Sequence, residues 1–124
     1  MYNNALYDYA HFRVNHYSLL KELFHNPLGD HFALITPLVS PLYWIFGSYT
    51  MLVLQIAGIL FGGYGIYVYF SGQTDKKYMP EIAMIHFFSI WGIYSVLAFD
   101  FHDNVMATMF VPWLLHYFSR GKWK

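Results

Sequence analysis

The chain has 124 residues, of which 57% are hydrophobic, 23% aromatic and only 11% charged, and its formal net charge is zero. A soluble domain carries roughly 25% charged residues, so this chain lacks the charge to coat a globule of its size, and a neutral balance gives nucleic acid nothing to bind. It has no cysteine, which excludes disulfides and thiol chemistry. The abundance of Tyr, Trp and Phe suits membrane interfaces, where rings with polar tips straddle water and lipid. These features predict an all-α, polytopic membrane protein with about three spanning helices and an amphipathic or interfacial N-terminal region.

Residues 1–30 are the least lipid-like part, holding Asp8, Arg13, Lys21, Glu22 and Asp30 with His11, His16 and His25. No apolar core of a signal peptide is present there. Leu19, Leu20, Leu23 and Phe24 recur at helical spacing and predict a short amphipathic helix over 16–24. The turn residues Asn26-Pro27-Leu28-Gly29-Asp30 end it. Residues 31–46 are apolar but shorter than the ~20 residues a span needs, and Pro37 and Pro41 each remove a backbone hydrogen bond. An interfacial or re-entrant placement follows, with a kinked full span as the alternative.

Residues 48–70 form the clearest transmembrane helix, uncharged throughout and with tyrosines near both ends. Gly58 and Gly62 make a GxxxG pair that lets another helix approach closely. Gln55 is the strongly polar side chain inside this span, and a hydrogen bond to a neighbouring helix is its expected role. A polar loop with Lys76 and Lys77 follows. Pro80 then opens a helix over 80–99, a position where proline is well tolerated, and Glu81 suits its first turn. His86, within it, is expected to be a hydrogen-bonded packing residue.

Phe99-Asp100-Phe101-His102-Asp103 sets two carboxylates and an imidazole between two apolar runs. Ionisable groups at the ends of membrane segments are costly and face water, a partner or a pathway. A simple polar turn is the plain alternative. Asn104 is expected to cap a last span over 105–119, interrupted by Pro112, before the basic end at Arg120, Lys122 and Lys124.

Short loops rich in Lys and Arg stay on the cytoplasmic side. Two helices separate Lys76-Lys77 from the terminal cluster, so one orientation satisfies both. It makes residues 1–47 an extracytoplasmic region, puts residues 100–104 on the same face, and leaves 48–124 as the transmembrane region. The expected location is a prokaryotic inner or plasma membrane, with the lipid bilayer as a partner.

The ordered set Tyr7-Asp8, Gly29-Asp30-His31-Phe32, Pro41-Leu42-Tyr43, Leu52 to Gln55 and Phe99-Asp100-Phe101-His102 resembles the domain of unknown function 2079 family of bacterial and archaeal membrane proteins. In that family a YD-type motif follows the first helix, a GDHF-like motif precedes an apolar PLY run, and an FHP- or FHE-like motif follows two spans. The resemblance covers nearly the whole chain. The family in turn looks like a distant relative of the C-type glycosyltransferases (GT-C), which take sugars from polyprenyl-phosphate donors on the outer face. The resemblance implies catalytic roles for Asp8, Asp100, His102 and Asp103, and substrate binding by Arg13, Asp30 and His31.

Chemically, a carboxylate such as Asp8 could serve as base. A divalent cation held by carboxylates, or a cationic side chain such as Arg13, could stabilise the leaving phosphate. His and Asp here lack tight ligand spacing, so the sequence assigns no metal site. Two departures stand out: Arg13 occupies the position where the family often has a second acid, and Asp103 replaces proline after His102. The family's first helix, upstream of the YD motif, and the helices expected after residue 124 are not in this sequence, so it reads as an N-terminal fragment, inactive alone and completed by those helices. The competing reading is a non-catalytic assembly subunit or transporter fragment whose glycine face docks a larger partner.

Overall fold

The computed structural model describes residues 2–13, 35–98 and 101–121. The chain is all-helical, and no strand occurs among the described residues. In order, the helices are α1 (Tyr2–Ala10), α2 (Ile35–Val39), a 3-10 turn (Ser40–Leu42), α3 (Tyr43–Phe46), a second 3-10 turn (Gly47–Tyr49), α4 (Thr50–Ser71), α5 (Met79–Phe88), α6 (Trp91–Ala98), α7 (Asp103–Thr108) and α8 (Val111–Ser119). The expected helix over 16–24 and the turn at 26–30 lie outside the described residues. Contacts divide the chain into two compact units, Met1–Val53 and Leu54–Lys124.

In the first unit α1 packs on α2, on the 3-10 turn that follows it, and on α3. Its buried side chains Ala5, Leu6 and Ala10 follow the i, i+1, i+5 pattern of one helix face. Opposite elements contribute the buried Thr36 and Ser40, so small residues meet at this contact. Residues 35–49 form single turns because the sequence interrupts each one. Ser40 Oγ donates to the Pro37 carbonyl at 2.8 Å, Pro41 lies in the first 3-10 turn, and Gly47 takes φ +56°, a conformation open to glycine without a Cβ penalty.

The second unit is organised by α4, which uses two faces. On one face Gln55 Nε2 donates to the Val96 carbonyl of α6 at 2.9 Å. Further along, Ile59 clusters with Ile93, and Gly63 lies under the ring of Phe88. This order is antiparallel, and it fulfils the hydrogen bond expected of Gln55. On the other face Gly58 lies against Met106, Gly62 against Met109, and Gly65 against Pro112 and Trp113, while Arg120 reaches the turn at Gly72. The last segment therefore runs parallel to α4 and nearly in register with it. Trp113 fixes that register by donating Nε1 to the Phe61 carbonyl at 3.0 Å and stacking on the Phe61 ring at 4.8 Å. Replacing Gln55 by Leu leaves the α6 contact without its polar link. We expect a loss of about 1 kcal/mol, the usual scale for such bonds between membrane helices, read by unfolding in detergent micelles.

The two later segments are each broken. Ser89 ends α5 by donating both its amide and its hydroxyl to the Ile85 carbonyl, the kind of back-bonding that bends helices. The continuation in α6 is bent by 41°. Pro112 stands in the first turn of α8. Its ring and missing N–H stop a continuous helix from 105, leaving the turn at Met109 and Phe110 between α7 and α8. Among the described residues the run Ile35–Ser71 is long and apolar enough to cross a membrane, and α5 with α6 is a second candidate if the bent pair is one span.

Candidate functional site

In the first unit the candidate residues gather at the C-terminal end of α1. The helix closes on a left-handed residue: Arg13 N–H donates to the Asp8 carbonyl at 2.8 Å and Phe12 N–H to the Tyr9 carbonyl at 3.1 Å, with Phe12 at φ +55°. Glycine usually holds that position, because an L side chain crowds the backbone there. Asp8 is half-buried in the last turn, where a carboxylate opposes the negative end of the helix dipole. Burial, and then the neighbouring Asp8 carboxylate, push the Tyr9 phenol above its usual range.

His11 sits between rings, 4.2 Å from Tyr7 and 4.6 Å from Trp44 between centroids. Its Nδ1–H donates to the Tyr7 carbonyl at 2.8 Å. Trp44 Nε1 donates to the Ala10 carbonyl at 3.1 Å, and Tyr43 meets Tyr7 edge-on at 5.7 Å. The PLY run thus contributes Tyr43, and the residue after it, to a cluster built on the turn that carries Asp8 and Arg13. The sequence assigns no role to His11 or Trp44. Their spacing in the chain gave no signal, because only the α1–α3 contact joins them. Arg13 is exposed.

In the second unit Phe101 is buried, His102 is exposed and Asp103 is half-buried. The expected cap at Asn104 is corrected here. The helix starts two residues earlier, with His102 in extended conformation as the flanking residue and Asp103 inside the first turn. Asp103 Oδ1 accepts the Asn104 amide at 3.0 Å, which favours an acid at a helix start. His86, expected to pack, is instead exposed on α5, where it borders an apolar groove of about 340 Å³ lined also by Ile66, Phe70 and Ile82. His116, to which the sequence gave no role, is buried in α8.

Asp30, His31 and Asp100 lie outside the described residues, and so does Phe99. Among the described residues no three His, Asp or Glu side chains gather to hold a metal ion. Gly58 and Gly62 are buried and filled by the chain's own methionines. A Cβ on Gly58 would stand 2.6 Å from Met106 Cε, and one on Gly62 2.7 Å from Met109 Sδ. That face is occupied within the unit, so the surface on which the docking reading relied is not open.

No curated protein and no solved structure matches the chain. A family model described as "Predicted membrane protein (DUF2079)" matches residues 1–124. With its full length covered, the chain belongs to that family of membrane proteins.

Proposed function

We infer that this polypeptide forms part of a membrane-embedded glycosyltransferase of the GT-C kind, using a polyprenyl-phosphate-linked sugar, with its acid-bearing residues on the outer face. The observation that carries the reading is the opposed placement of charge in the second unit. Arg120 reaches the Gly72 turn, beside the loop of Lys76 and Lys77. The register that puts Met106 at Gly58 and Val96 at Gln55 carries His102 and Asp103 to the other end. The helical length from Gln55 to Gly72 is about 25 Å at 1.5 Å per residue, close to the ~30 Å hydrocarbon core. Basic residues mark the cytoplasmic side, which supports a reading in which His102 and Asp103 face outward.

In this reading Asp8 takes the proton from an acceptor hydroxyl, the freed oxygen attacks the anomeric carbon, and the donor's phosphate departs with the bonding electron pair. Arg13, one turn away and exposed, supplies positive charge to the phosphate. By sequence, His102 and Asp103 of the second unit, and Asp30, His31 and Asp100, are expected on the same outer face.

Single cysteines at Asn4, Thr74, Asn104 and Gly121 test the arrangement, because the native chain has none. In intact cells a membrane-impermeant thiol reagent should label positions 4 and 104 and spare 74 and 121. The reverse pattern, or labels at 4 and 104 on opposite faces, overturns the proposal.

A further inference from the structure

Phe12 combines two features that oppose each other in water. Its backbone holds the left-handed conformation, φ +55°, which disfavours bulky L-residues. Its ring is 99% exposed, so no packing inside the described unit offsets that strain. A non-glycine residue in a strained conformation is sound ground for seeking a function, and glycine would close the same turn at no steric cost. The surroundings narrow the function. Trp44, whose ring lies on His11, is 67% exposed and Ile45 72%. Arg13, the next residue in the chain, adds an exposed cation. A few residues further on, the chain enters α4 at Thr50, whose hydroxyl donates to the Gly47 carbonyl at 2.7 Å. Trp44 is thus tied close to the point where an apolar run long enough to span the bilayer continues.

We propose that Phe12 is an interfacial anchor: the left-handed turn drives its ring into the boundary between headgroups and acyl chains, with Trp44 beside it and Arg13 level with the phosphates. Apolar and aromatic side chains of surface-lying helices insert to about 5–10 Å at this boundary, and indole rings concentrate there. The turn acts as a wedge, because its two backbone hydrogen bonds fix the direction of the Phe12 Cα–Cβ bond. The anchor holds α1, and with it Asp8, at constant depth against the membrane. It works from either face of the bilayer, so its failure and that of the labelling pattern at Thr74 and Gly121 are separate results.

The test uses the whole chain in nanodiscs of phosphatidylcholine with phosphatidylglycerol. A nitroxide on Phe12→Cys should collide several-fold less with a water-soluble nickel chelate, and more with oxygen, than one on Asn4→Cys. Equal accessibility at the two positions overturns the anchor. The second variant, Phe12→Gly, relaxes the turn. If position 12 served only the helix end, amide exchange of α1 would slow or stay unchanged, and either result overturns the proposal. Loss of the anchor makes α1 exchange faster in the nanodisc although its turn has become easier to form.

Discussion

Gly62→Leu is expected to destabilise the 54–124 unit by about 3 kcal/mol, near the upper end of overpacking costs, while Gly58→Ala leaves it nearly unchanged. Both glycines lie on the same face of α4, but what they meet differs. At Gly62 a Cβ would stand 3.2 Å from Met109 Cβ and 3.3 Å from its Cα. Those atoms belong to or adjoin the backbone of the turn between α7 and α8, and a rotamer change cannot move them. A branched side chain there must separate α4 from the last segment and break the Trp113 bond to the Phe61 carbonyl. At Gly58 the contacts are Met106 Cε and Sδ, the far end of an adaptable side chain. Swinging it aside is cheap, and replacing a helical glycine by alanine returns roughly 0.5–1 kcal/mol of backbone entropy. Unfolding of purified protein in detergent, followed by tryptophan fluorescence, separates the two. Equal losses at both positions would show that the parallel register is wrong.

Asp8→Asn is expected to lower sugar transfer from polyprenyl-phosphate donors by about 10²–10⁴-fold, the range ascribed to a positioned acid or base, with the fold intact. The substitution keeps size and shape, and the backbone bond from Arg13 to the Asp8 carbonyl does not involve the side chain. Removing a negative charge from the last turn of α1 also removes a conflict with the helix dipole, so the helix should stay folded as activity disappears. Membrane vesicles carrying the protein as it occurs in the cell, supplied with radiolabelled lipid-linked sugar, give the rate. Circular dichroism gives the stability. Wild-type transfer by Asp8→Asn would remove the carboxylate from the mechanism, whereas a parallel collapse of stability would assign it to the fold.

The helical class and the long apolar run through α4 were legible because such runs, punctuated by Pro, Gly and charged loops, have few other solutions. The role of Gln55 was legible for the same reason: an amide inside an apolar helix must find a partner, and Val96 provides it. The span expected over 105–119, by contrast, is not a candidate span among the described residues, being broken at Pro112. The breaks were less visible. Pro112 announced one, but Ser89 did not, because a serine bends a helix only when its hydroxyl competes for the carbonyl one turn back. The α1 helix itself was missed, although Ala5, Leu6 and Ala10 carry a helical period. The polar and aromatic residues around them diluted that signal. The Tyr7–His11–Trp44 cluster joins residues far apart in the chain and had no local signature. For the candidate site, residue identity pointed to Asp8 and Asp103 as acids of interest. The sequence could not show that one sits in a left-handed helix closure and the other inside a helix start.

The in-register parallel pairing of α4 with the last segment has a consequence for assembly. The Gln55–Val96 bond links residues 41 apart, whereas the Trp113–Phe61 bond links residues 52 apart. During synthesis the antiparallel pair can close first, as soon as the returning segment has entered the bilayer. The glycine face of α4 then stays uncovered until the ribosome has passed the final segment. Between those two moments the nascent chain presents a small-residue surface of the sort that attracts any nearby helix. The timing of insertion, and not only the final contacts, decides whether Met106 and Met109 reach those glycines before a foreign helix does.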